Sequence, residues 1–178
     1  MADDDDESDL FRQFLTDCTE ANQTAALRTL DLHPGLLKKR WGGDVFSVGD
    51  DRDVDRGFTA ILAASQGGSE GLVVELLKRG ADWKARDVNG SDSLFLASSM
   101  EGHAAVATIL LGRGCDPNTR NDHWTALGIA AAWDHLPVCI LLLSKAADLY
   151  APMPQDGRTA LQLYGEGVHP PLPPAVLE

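Results

Sequence analysis

Basic residues are scarce in this chain: 15 Lys and Arg stand against 27 Asp and Glu, a net charge of −12. Phosphate backbones and anionic lipid surfaces repel such a chain, so nucleic acid and membrane are poor partners. Aromatics are few, at 6%. No apolar run approaches the roughly eighteen residues that span a bilayer. The N-terminus is acidic and has no apolar core segment, so no secretory signal is read and the cytosol or nucleus is expected. Cysteine is limited to Cys18, Cys115 and Cys139. An odd, scattered set makes neither a disulfide framework nor a CxxC knuckle, and three reduced, apolar-behaving thiols are expected.

Catalytic and ligand motifs are also missing. No HExxH or GxGxxG occurs, Ser65, Ser98 and Ser99 are not in a GxSxG elbow, and Gly67-Gly68 leads into Ser69-Glu70 rather than into a phosphate-binding Gly-Lys-Ser/Thr. The five histidines are scattered; His103 and His135 are expected to open helices and to hydrogen-bond backbone. Carboxylates are plentiful but fall in loops, where solvation explains them. The reading is therefore not an enzyme, with no cofactor and no metal.

Periodicity is what the chain does contain. Gly57, Gly90, His123 and Gly157 stand 33, 33 and 34 residues apart. Two residues behind each comes Thr59, Asp92, Thr125 or Thr159, and then an apolar residue and a small one: Ile61 and Ala64, Leu94 and Ala97, Leu127 and Ala130. The second half of the unit recurs as LVVELLKRGAD, VATILLGRGCD and VCILLLSKAAD, closing on Asp82, Asp116 and Asp148. The period predicts a short helix, a turn, a second helix and a loop. One such pair cannot bury its own apolar flanks, so neighbours must stack. Thr59, Thr125 and Thr159 are expected to cap the inner helices. Gly80 and Gly114 are expected to end the outer ones in a left-handed residue.

The segments RGFTAILAASQGGSEGLVVELLKRGAD and DHWTALGIAAAWDHLPVCILLLSKAAD resemble the ankyrin repeat, whose pattern is roughly DxxGxTPLHxAAxxGHxxVVxLLLxxGADxN. The resemblance covers about Asp53 to Tyr164. It implies an all-α fold, an ankyrin-repeat solenoid of stacked antiparallel helix pairs with β-turn-like loops. Departures are Ala60, Ser93, Ala126 and Ala160 at the family's proline, His123 at a head glycine and Ala146 at a terminal glycine. The second unit holds an extra residue before Gly102, which predicts a longer inner helix or a bulged turn.

Four segments follow. Residues 1–8, with Asp3 to Asp6, Glu7 and Asp9 crowded together, are expected to be a disordered acidic tail. Residues 9–52 are read as an N-terminal capping repeat with a long loop. Leu10, Phe11, Phe14 and Leu15 form one stripe, Ala25 to Leu30 another, Asp17–Gln23 the turn between them, and Val45–Val48 a short hairpin. Residues 53–164 hold about three full repeats and one partial. Residues 165–178 form a Pro-rich tail, so the last unit is incomplete or the chain continues.

The resemblance implies that a protein or peptide partner, bound by a monomer, lies on the turn tips and the exposed side of the inner helices, the concave surface. Carried over position by position, these are Asp55, Arg56, Phe58 and Gln66 in the first unit. The second supplies Val88, Asn89, Ser91, Ser99 and Met100. The third supplies Asn121, Asp122, Trp124 and Trp133, and the fourth Arg158. Trp124 and Trp133 carry most weight, because both fall where the core needs no large side chain. Trp83 is expected to pack in its loop. The resemblance also sets Asn118 at the family's loop asparagine, a residue hydroxylated in some members, although Pro117 departs from the pattern. The alternative is a regulatory or targeting segment of a larger protein with a separate catalytic or channel domain.

Overall fold

In a computed structural model, residues 3–42, 57–100 and 103–166 are described. The chain divides into two compact units, Met1–Ser93 and Leu94–Glu178. No strand occurs among the described residues, which carry two isolated backbone bridges, Arg86 with Asp92 and Arg120 with Thr125.

The first unit opens with α1 (Asp3–Thr19) and α2 (Gln23–Leu32), joined by Glu20–Asn22. Two expectations fail here. The acidic stretch is not a disordered tail through Ser8: helix begins at Asp3. Acidic residues are favoured in the first turn of a helix, where the macrodipole is positive. The turn expected from Asp17 also starts late, because Asp17 and Cys18 are buried within α1. Phe11, Phe14 and Leu15 form the buried stripe of α1, and Ala26 and Leu30 that of α2. Asn22 caps α2 through the Ala25 amide.

Pro34 and Gly35 turn the chain into a 3-10 segment, Pro34–Lys38. Trp41 is then buried against Phe11 at 6.1 Å between ring centroids, with the Arg12 guanidinium 5.3 Å from its ring. The Trp41 amide donates to the Phe58 carbonyl at 2.8 Å and its carbonyl accepts from the Gly57 amide at 2.9 Å. These bonds pin together the two ends of the long insertion. Residues 43–56, including the proposed Val45–Val48 hairpin, lie outside the described residues.

A helix pair follows, α3 (Ala60–Gln66) and α4 (Glu70–Lys78). α3 packs on α1 and α4. Alanines and Ser65 make α3 thin enough to be buried from Ala60 to Ser65. The Ser65 hydroxyl is spent internally on the Ile61 carbonyl at 2.7 Å. At the far end, Arg79 joins Glu75 of its own helix (3.0 Å) to Asp31 of α2 (2.6 Å).

The second unit holds α5 (Ser93–Ser98, its first residue in the first unit), α6 (Ala104–Gly112), α7 (Ala126–Ala132), α8 (Leu136–Ser144) and α9 (Ala160–Glu166). α7 packs against α8 and α9, and α6 against α8. α5 has six residues where α3 and α7 have seven, so the extra residue of this repeat does not lengthen the helix.

The outer helices α4, α6 and α8 end alike. In each, one amide reaches back five residues: Ala81 to Leu76, Cys115 to Leu110, Ala147 to Leu142. The residue before it donates to Leu77, Leu111 or Leu143 and has positive φ: Gly80 (88°), Gly114 (92°) and Ala146 (63°). The glycines behave as expected, and Ala146 holds the same turn despite its Cβ. Just beyond, the carboxylates of Asp82, Asp116 and Asp148 each accept from the amide two residues on, at 2.8–3.0 Å. That is the physical reason the closing Asp recurs.

Capping of the inner helices differs from repeat to repeat. Thr125 accepts from the Gly128 amide at 3.0 Å. Thr159 and Gln162 form a reciprocal box: Gln162 Oε1 accepts from the Thr159 amide at 2.8 Å, and Thr159 Oγ1 from the Gln162 amide at 3.2 Å. Thr59 does not cap, and its buried hydroxyl has no hydrogen-bond partner. Asp92 directs a carboxylate oxygen to Arg86 at 3.1 Å.

Candidate partner-binding surface

Each turn between repeats is closed by an Asp or Asn side chain that collects backbone amides. In the first unit Asp87 Oδ1 accepts from Asn89 (2.9 Å) and Ser91 (2.8 Å), and the Asp87 amide donates to the Ser91 carbonyl at 3.0 Å. This lifts Val88 to the tip, where it is 55% exposed, with Asn89 half-buried beside it. In the second unit Asn121 Oδ1 accepts from His123 (2.9 Å) and Trp124 (2.8 Å), and Asp156 Oδ1 from Arg158 (3.0 Å). Gln155 donates its amide to the His123 carbonyl at 3.2 Å, so the Asn121 and Asp156 turns lie edge to edge.

Two residues expected on this surface are not there. Phe58 is 1% exposed and Ser91 2%. Phe58 follows the positive-φ Gly57 and sits where its carbonyl is held by Trp41, which turns the ring inward. Ser91 is drawn in by the Asp87 carboxylate. Asp55 and Arg56 lie outside the described residues. Gln66, Ser99, Met100 and Asn121 are half-buried, and Asp122 is exposed. Arg158 is half-buried and its guanidinium is held by Asp156 at 2.7 Å.

The two tryptophans take different positions. Trp124 is half-buried, its amide and carbonyl both engaged by Asn121. Trp133 is 60% exposed at the C-terminal cap of α7. The helix between them separates their backbones by roughly 13 Å at 1.5 Å per residue. They are two contacts at opposite ends of α7, not one cluster. Around Trp133 the bare face of α7 is apolar: Ala132 is exposed and Ile129 half-buried.

The same slot in the first unit is Gly67, and it is closed. A Cβ there would stand 2.7 Å from the Cys18 carbonyl oxygen and nearer still to that of Thr19. A large side chain thus fits at 133 and is excluded at 67.

Tyr150, 67% exposed, and Leu32, 71% exposed, were not singled out from sequence. Tyr150 follows Asp148 by two, where the other loops carry Lys84 and Asn118, so an aromatic at a polar slot was its signal. Leu32 ends α2 just before Pro34, outside any repeat register that could mark it.

The chemistry available is that of contact. His135 is buried, its Nδ1 3.1 Å from the Ser98 carbonyl, as expected for a turn histidine. Cys18, Cys115 and Cys139 are buried and unpaired with one another. Burial, and then the Asp134 carboxylate, push the Cys139 thiol up to about 12; burial and Asp17 push Cys18 higher still. Among the described residues no group of three or more His, Cys, Asp or Glu is placed to hold a metal, and no helix is long and apolar enough to cross a membrane. A cavity of about 230 Å³ in the first unit is lined by Leu37, Lys38, Arg40, Thr59 and Asp82 among others, and none of the expected contact residues that are described lines it. Trp83 is half-buried in its loop with the Lys84 ammonium 5.1 Å from its ring centroid. Asn118 Oδ1 accepts from the Asp148 amide of the next loop at 2.7 Å, a structural task.

Comparison with known families agrees with the repeats just described. Residues 15–121 and 94–164 each match the family model described as ankyrin repeats (3 copies). A search of curated proteins finds no match.

Proposed function

Because the chain belongs to the ankyrin-repeat family, whose members are in general non-catalytic protein-interaction modules, we propose that it binds a partner protein or peptide and is not itself an enzyme. The observation that carries this reading is Trp133, 60% exposed on the bare face of α7. The fold has small residues for that site and uses one at Gly67. An indole held in water gains no packing energy, and tryptophan is enriched among residues whose loss at an interface costs about 2 kcal/mol or more. Trp124 and Asp122 extend the contact toward the turns of the second unit. Val88 and Asn89 offer a tip in the first. Selectivity comes from Asp122, since Arg158 is already engaged by Asp156. The binding form is a monomer, in the cytosol or nucleus; three buried cysteines that form no disulfide suit a reducing compartment.

The test is site-specific photocrosslinking in cell lysate. A photoreactive phenylalanine analogue replaces Trp133 in one sample and Thr108, exposed on α6, in another. Position 133 is expected to yield a discrete crosslinked band absent from position 108. Identical patterns from both positions would remove the surface from consideration.

A further inference from the structure

We propose that the cavity of the first unit binds a small monocarboxylate, an acid group on a short apolar body. This site is separate from the Trp133 surface and shares no residue with it.

The cavity stands where a bridge between loops is missing. In the second unit, Asn118 accepts from the Asp148 amide at 2.7 Å and so ties one loop to the next. Asp82 is the counterpart of Asp148 in the first unit. It lines the cavity together with Leu37, Lys38 and Arg40, which come from the preceding segment. Residues 34–40 of that segment read Pro-Gly-Leu-Leu-Lys-Lys-Arg, with no side-chain acceptor among them to play the part of Asn118. About 230 Å³ is left open. A cavity of about 150 Å³ takes benzene, so this one has room for an acid group and several carbons.

The lining asks for an acceptor. Thr59 is 6% exposed, and its hydroxyl has no hydrogen-bond partner. Thr125 and Thr159, at the same place in their repeats, spend their hydroxyls on capping amides. The Thr59 hydroxyl is unspent, and leaving it buried and unpaired is costly, so a ligand that bonds it recovers that cost. Lys38 and Arg40 add two positive charges. Arg40 is already positioned, because its Nη1 donates to the Arg86 carbonyl at 2.8 Å. Asp82 adds one negative charge, with one carboxylate oxygen accepting from the Lys84 amide at 3.0 Å. Two charges against one match a monoanion, whereas a dianionic phosphate meets more repulsion from Asp82 with no further cation. A carboxylate accepts several bonds at once, and those it accepts from cations are the strong kind. Leu37 and Ala85 supply the wall for the apolar body.

The experiment titrates the full isotope-labelled chain with butyrate, with N-acetylalanine as the mimic of a peptide C-terminus, and with butyramide as the uncharged match of butyrate. The amide resonances of residues 37–40, 59 and 80–85 are expected to shift saturably with the acids and to stay in place with butyramide. The tighter acid identifies the source of the carboxylate, a free small acid or the end of a chain. Thr59→Val removes the unpaired hydroxyl and is expected to weaken binding about tenfold without loss of stability. Lys38→Gln, at an exposed position, is expected to weaken binding and to flatten its dependence on salt. No saturable shift with either acid, an equal response to butyramide, or unchanged affinity in either variant would overturn the proposal and leave a cavity for water alone. No partner protein is present in these measurements, so their failure leaves the Trp133 reading intact, and a failed crosslink leaves the cavity reading intact.

Discussion

Replacing Gly67 with alanine isolates the contact on which the first unit closes. Gly67 caps α3 with φ −77°, an ordinary right-handed conformation, so its lack of a side chain answers a need for space and not for backbone freedom. The new methyl carbon would meet two carbonyl oxygens at the end of α1, one at 2.7 Å and one closer. Neither is a side chain that can swing away. The end of α1 or the end of α3 must shift by about 1 Å, and overpacking of this kind costs typically 1–3 kcal/mol. Backbone opposition puts Gly67→Ala near the top of that range. Reduced freedom of the unfolded chain returns about 0.4–1 kcal/mol, leaving a net loss of about 2 kcal/mol. Gly112→Ala is the control: at the end of α6, with nothing within 4 Å of the new Cβ, it is expected to gain about 0.5 kcal/mol. Urea unfolding followed by far-ultraviolet circular dichroism measures both. Equal stability of the two variants, or a Gly67→Ala protein at least as stable as wild type, would refute the close approach of α1 and α3.

Three further outcomes are expected. Ala146→Gly relieves a Cβ held at φ +63° and should stabilise by about 0.5–1 kcal/mol, while Gly114→Ala at φ +92° should destabilise by a similar amount, both read from urea midpoints. Asn118→Ala removes the acceptor of the Asp148 amide and should cost about 1 kcal/mol; a cost indistinguishable from zero would mean that water replaces the bond. Cys18 and Cys139 should be silent to a thiol reagent in the native chain at pH 8 and react in urea. Their folded pKa values are raised, so the neutral thiol favours the fold below the unfolded value near 8.5. Stability should then fall above it, toward about 12 for Cys139, by up to about 1.4 kcal/mol per pH unit per thiol.

Much of the fold was legible because the repeat places the same residue types under the same physical demand three times. Gly80 and Gly114 announced left-handed helix ends, and Asp82, Asp116 and Asp148 the loops that follow. The N-terminal unit was harder. Nothing local tells that Asp17 and Cys18 continue α1, because burial against α3 decides it. The charge run suggested disorder, yet it lies at a helix start, where acidic residues are favoured.

The site was legible at the level of slots, not of side chains. Position-by-position transfer assumes that every repeat exposes the same slots. Phe58 and Ser91 break that assumption, one held down beside the Trp41 pair and one pulled in by Asp87. Trp124 and Trp133 looked alike in sequence. What separates them is α7 itself, which puts one in a turn held by Asn121 and the other in water. Thr59 shows the same limit for capping: the residue matches the pattern, but its hydroxyl reaches no amide.

The most direct measurement of the central claim is the affinity of the crosslinked partner, once purified, for wild-type chain and for Trp133→Ala, by isothermal titration calorimetry. Truncating an exposed side chain should leave the unfolding midpoint within about 0.5 kcal/mol of wild type. The account predicts that binding nevertheless weakens by about thirtyfold, the equivalent of about 2 kcal/mol. Unchanged affinity in a fully folded Trp133→Ala chain would contradict it.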